Sequence, residues 1–311
     1  MGRPTLEGVD LKLKRAKENF STLADEISAF LTDPESYGVV AEEYTRRHWR
    51  FRVTDVRRPP PDWGILIGEC VHQYRSALDH LAFQLLIANT RGRVPAKLVK
   101  RSEFPIFNSG PRFRGRLNRK GEPSAGSGRA KIQGLSPEAA AIIEALQPYH
   151  RRKNPGSRVL WQLQELANVD KHRLLHVTYS AFEGSDFAFE TGNVAQLLWG
   201  GFNAGPLKRN AVVAEWKVTP IDPRYGTKVD VKGEFLTDIT FGKSSAARAV
   251  RGASVVKTLH DIGAFIASDV VPPLAALMGL ASEFEPGKII DVAALSPDER
   301  DSAAPKGIQI L

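Results

Sequence analysis

The sequence predicts an α+β fold, a helical bundle packed with an antiparallel β-sheet. Three observations carry that expectation. Apolar residues recur at three- and four-residue steps over long segments early, midway and late in the chain. Between about residues 177 and 241 the apolar period drops to two. The strand-like segments cluster instead of alternating with helices, which argues against a parallel α/β sheet.

The helices are expected at about 6–32, 63–89, 136–147, 157–177 and 246–271. In the first, Val9, Leu13, Ala16, Phe20, Leu23, Ile27 and Phe30 form the stripe, and Asp33-Pro34 stops it. In the second, Trp63, Ile67, Cys70, Tyr74, Leu78, Leu81 and Leu85 do so, after the stiff Arg57-Arg-Pro-Pro-Pro61 connector. Ser136 caps the third, with Pro137 at its first position. Leu160, Leu163, Leu166, Ala167 and Leu174 define the fourth. Strands are expected at about 49–55, 177–190, 211–219 and 228–241, with Glu183-Gly-Ser-Asp186 as a hairpin turn. This is read as one domain over 1–281, with the last helix returning to the bundle; the alternative is a division near residue 180. Residues 282–311, rich in Pro, Ala and charge, are read as a loosely ordered tail.

Composition bounds the function. The 311 residues are 42% hydrophobic and 25% charged, enough for a sizeable core. A single cysteine, Cys70, excludes an internal disulfide framework and fits a cytoplasmic location; its mid-stripe position makes it core filler. No secretory leader is read at the start. No membrane partner is expected, because the most apolar stretch, 262–281, carries Asp269 and Pro272-Pro273. The net charge of +8 favours anionic partners, RNA or another anionic ligand. No cofactor is called for: the glycines of 109–131 have no phosphate-loop spacing.

The chemistry-bearing residues concentrate on two helices. Glu69-Cys-Val-His-Gln-Tyr-Arg-Ser-Ala-Leu-Asp-His80 places His72, Arg75 and Asp79 on one strip beside the apolar stripe, and His80 on the opposite flank. Asn168-Val-Asp-Lys-His-Arg-Leu-Leu-His176 places Asp170 inside an apolar arc, where a carboxylate needs a cation or several donors. Arg75 is its expected partner, with His80 next. Either this is a buried ion pair that fixes two helices, or it is a site lining a cleft.

Arg75-Ser-Ala-Leu-Asp-His80 resembles the Arg-x4-His motif of HEPN-type domains, helical bundles of which many are metal-independent RNases of toxin–antitoxin and antiphage systems, usually dimeric. The resemblance implies that Arg75 holds the scissile phosphate and His80 acts as general acid or base, supported by Asp79 and Asp170, in a homodimer. It covers six residues. The expected sheet and Ser76 after the arginine depart from the pattern. Ile67 to Ala82 and Asn168 to Arg173 are also similar to a bacterial family with no assigned activity. A metal-binding hydrolase is the third alternative: His172 and His176, at i and i+4 on a helix, resemble the paired imidazoles of metal-binding bundles, although Arg173 stands where such motifs carry Glu. Phosphate contacts are expected from Arg112, Arg114, Arg116, Arg119 and Lys120 in the glycine-rich segment 109–131. The reading favoured over either enzyme is a binding or scaffold protein.

Overall fold

Along helix α1 (Glu7–Thr32), Val9, Leu13, Ala16, Leu23, Ile27 and Phe30 are buried, as their spacing predicts. This is a computed structural model and describes residues 2–150, 157–182, 187–233, 235–243, 245–284 and 309–310. It has the expected α+β composition, with antiparallel sheets. Contacts gather into two units. The first draws on Met1–Leu23, Asp62–Leu175 and Ser244–Lys288, the second on Ala24–Pro61, His176–Lys243 and Ile289–Leu311. Most segments of helical period fall in the first unit and those of period two in the second, but α1 belongs to the first unit only as far as Leu23 and to the second from Ala24.

The first unit is helical. After α1 come α2 (Asp62–Asn89), α3 (Ala96–Val99), α4 (Gly110–Arg114), α5 (Gly128–Lys131), α6 (Pro137–Ala145) and α7 (Ser157–Asp170). Ser136 caps α6 through the Ala139 N–H, as expected. Its core joins Ile67, Cys70, Tyr74, Leu78 and Leu81 of α2 to Leu160, Leu163 and Leu166 of α7. Each such side chain contributes about 2 kcal/mol by burial. Burial pushes the Cys70 thiol up to about 12, so it is unreactive core filler. The last expected helix, 246–271, is shorter and broken. It comprises α8 (Val255–Phe265), a π-helical turn (Ile266–Val270) and α9 (Val271–Ala276), with Pro272 and Pro273 at the start of α9. It belongs to the helical unit.

The second unit is built on β1 (Tyr37–Thr45), β2 (His48–Val56), β3 (Val177–Phe182), β4 (Phe187–Gly192), β5 (Val194–Phe202), β6 (Gly205–Pro206), β7 (Val212–Pro220), β8 (Lys228–Gly233), β9 (Leu236–Phe241) and the short β10 (Gln309–Ile310). One sheet has the order β10-β1-β2-β7-β5, antiparallel except for β10; the others are β6-β3-β9 and β4-β8. Register places Trp49, Trp216 and Trp199 side by side across β2, β7 and β5, with the last two rings stacked at 6.1 Å. Glu42 on β1 accepts hydrogen bonds from Arg50 and Arg52 on β2.

Two strand expectations are corrected. Strands 177–190 do not form a hairpin, because β3 pairs with β9 and β4 with β8. The turn Glu183–Asp186 lies outside the described residues. The strand expected over 228–241 is two, β8 and β9, which join different sheets. Apart from 282–284 and β10, the tail expected over 282–311 lies outside the described residues. No helix among the described residues is long and apolar enough to cross a membrane.

Candidate functional site

Arg75 and Asp170, expected to pair, do not. Asp170 packs against Gly68, seven residues before Arg75, which is about 10 Å along the α2 axis. Arg75 Nη2 instead donates to Asp79 Oδ1 at 2.9 Å, to Glu103 Oε1 at 2.9 Å and to the Phe104 carbonyl at 2.6 Å. Asp79 also accepts the Phe104 N–H at 2.9 Å, and Lys131 bridges to Glu103 at 2.8 Å. The Arg75 side chain is only 11% exposed. This network ties 103–104 and α5 to α2. Burial raises the Asp79 carboxyl against the opposing pull of Arg75 and the Phe104 N–H. Burial also acts to raise Glu103, but the Lys131 hydrogen bond and the Arg75 charge outweigh it, and Glu103 sits below its ordinary value. His80 is exposed and stands beside Gly8 of α1. The four residues expected to act together therefore occupy three environments.

Asp170 lies in a cleft of about 720 Å³ lined from α1, α2 and the end of α7, including Asn19, Gly68, His72, Gln73, Asp170 and Arg173. Two glycines one turn apart on α2 make it. A Cβ on Gly64 would meet the Leu175 carbonyl at 2.6 Å and Leu174, and one on Gly68 would meet Asp170 Oδ1 at 2.1 Å. Without them the segment 170–175 could not lie against the helix. The Asp170 carboxylate takes no ion pair or hydrogen bond from the described residues. Burial raises it, with the His72 charge pulling the other way. It also closes α7, at the negative end of the helix dipole.

The helix expected to carry His172 and His176 ends at Asp170, so their spacing does not give them a common helical face. Both are exposed. Among the described residues no group of three or more His, Cys, Asp or Glu is placed to hold a metal.

Segment 109–131 is more ordered than its composition suggests. Phe113 is fully buried, Ser127 caps α5 through the Ala130 N–H, and Leu117 bridges Pro123. Gly115 holds φ +67°, with Ser124 and Ser127 close to where a Cβ would stand. Arg112, Arg114, Arg116, Arg119 and Lys120 are all exposed, and none forms an ion pair among the described residues. Arg112, Arg116, Phe107 and Ser124 line a second cleft of about 360 Å³.

No family model, curated protein or solved structure matches this chain. The glycines at 64 and 68 were the missed signal. Their spacing on a helix marks a strip where another segment can approach closely, and it would have located Asp170 on α2.

Proposed function

We propose that this chain is a cytoplasmic binding protein for single-stranded RNA, with segment 110–131 as the contact surface. The observation that carries the reading is the set Arg112, Arg114, Arg116, Arg119 and Lys120, exposed and without acidic partners on a scaffold held by Phe113 and Ser127. Unpaired cations so close together repel one another, and phosphates relieve that repulsion while releasing counterions. The cleft lined by Phe107, Arg112 and Arg116 suits an unstacked base, held on an aromatic ring or a guanidinium plane. A single strand offers such a base and a duplex does not. Arg75 does not favour the cleavage reading: Nη2 is held by Asp79, Glu103 and Phe104, and Nη1, which has no partner among the described residues, is shut from solvent, while His80 lies apart beside Gly8.

The test is fluorescence anisotropy with a labelled single-stranded RNA, beside the same sequence as DNA and as duplex. The triple variant Arg112→Ala/Arg116→Ala/Arg119→Ala is expected to weaken RNA binding at least about tenfold at low salt with unchanged melting. Equal binding by the variant removes the segment from the reading. RNA incubated with chelator-treated protein is expected to stay intact. Cleavage lost in both Arg75→Ala and His80→Ala would restore the nuclease reading.

A further inference from the structure

The cleft around Asp170 is separate from the basic segment, and its lining is unlike a polyanion site. Two of its half-buried side chains carry acceptors that lack a donor. The Asp170 carboxylate has no donor among the described residues, and Gln73 Oε1 is shut from solvent with none either. Leaving a buried acceptor unmade is costly unless something else supplies the donor. Its exposed groups include Arg173, which has no acidic partner among the described residues, and Arg15, which is paired with Glu18 at 3.1 Å. Its walls carry Ile65 and Leu174, 54% and 40% exposed, large apolar side chains left bare on the same concavity. The glycines at 64 and 68 hold the carboxylate and Leu174 against α2 with no side chain between.

We propose that this cleft binds a small hydrophobic zwitterion of the α-amino-acid class. Its ammonium group donates to Asp170, its carboxylate faces Arg173, and its apolar side chain lies on Ile65 and Leu174. Asp170, Arg173 and the apolar wall each select one part of such a ligand. Asp170 and the nearby Glu69 repel a phosphate chain. A bare cation would leave Arg173 and the apolar wall unused. A purely apolar ligand would leave the Asp170 carboxylate unmet. Asp170 then stands where an unpaired carboxylate weakens the fold, at a helix C-terminus and half-buried, because the ligand supplies its partner.

The test uses the full chain, with L-phenylalanine and L-leucine as probes at millimolar concentration. Calorimetry is read beside amide chemical shifts of Gly68, His72 and Arg173. Phenethylamine and 3-phenylpropanoate are the one-ended controls. At least one zwitterion is expected to bind, with each one-ended analogue about tenfold weaker or more. Asp170→Asn is expected to lose the zwitterion while remaining folded, and Gly68→Ala to weaken it by displacing the carboxylate. No shift with either amino acid, equal binding by a one-ended control, or undiminished binding to folded Asp170→Asn would each overturn the assignment. RNA affinity is expected to be unchanged by the zwitterion, so failure here leaves the RNA reading standing, and the reverse holds.

Discussion

Two sets of arginines in the helical unit are used in opposite ways. Arg75 is enclosed by Asp79, Glu103 and a backbone carbonyl. Arg112, Arg116 and Arg119 stand in solvent with no counter-charge among the described residues. In the sequence Arg75 is the more conspicuous, because it lies on a helix beside an apolar stripe. The proposed reading gives the exposed set the greater weight. A cation whose charge is already answered within the protein has little left for a ligand, whereas one left unanswered retains its field. Burial of a charged residue therefore marks a possible site only when its partners are missing. By that criterion Asp170 is the stronger candidate among the helix carboxylates, because Asp79 is already met by Arg75 and the Phe104 N–H.

The largest effect that would break this comparison is on stability at Arg75. Arg75→Ala leaves Asp79 and Glu103 facing each other with part of their hydration lost. It is expected to cost about 3 kcal/mol, discounted from a sealed pair because both carboxylates keep partial exposure. RNA affinity of the folded fraction is expected to be unchanged. Chemical denaturation and anisotropy on one preparation check both. A stable variant that no longer binds RNA would place Arg75 in the site.

The sheet unit offers a second paired set. Glu42 accepts from Arg52 and Arg50, and these hold its carboxyl down to about 2 against the opposing effect of burial. Because the folded value is depressed, this contribution is present above the ordinary 4.5 and is lost as pH falls toward about 2. Glu42→Gln is expected to cost about 2 kcal/mol at neutral pH, with the two melting curves converging in acid. A gap that persists at acid pH would assign the loss to packing.

The smallest effect has the opposite sign. Asp170→Asn removes an unpaired carboxylate from a helix C-terminus and is expected to stabilise by about 0.5 kcal/mol at neutral pH. The folded carboxyl lies above its ordinary value, so what it contributes is present in acid and lost as pH rises through the folded value. The advantage of Asn should therefore shrink as pH falls. Destabilisation, measured by thermal melting across pH, would mean that Asp170 has a structural partner.

Much of the helical unit was legible in the sequence. The stripes of α1 and α2 and the Ser136 cap lie where the period and cap chemistry put them, because each signal is local. The sheet unit was less legible. β1 begins Tyr37-Gly-Val-Val-Ala41, an apolar run without alternation, and turns at Arg46-Arg47, where Arg47 takes φ +69° with no Gly or Asn to announce it. β5 keeps Leu198 and Trp199 exposed, so no half-buried pattern marked it. Which strands pair depends on register between distant segments, and β3 and β4, adjacent in the chain, part company for that reason. The site was half legible. Helical periodicity found the polar strip on α2, but assigning Arg75 its partners required Glu103, which lies in a segment with no periodic signal.

The direct test of the central claim is the salt dependence of RNA affinity for the wild type and the Arg112→Ala/Arg116→Ala/Arg119→Ala variant. Each phosphate contacted on a single strand contributes a slope of about −0.7 in log K against log salt. The account predicts a wild-type slope steeper than that of the variant by about 2, one such contribution for each arginine removed. Parallel lines, whatever their offset, would contradict it, because the arginines would then be touching no phosphate.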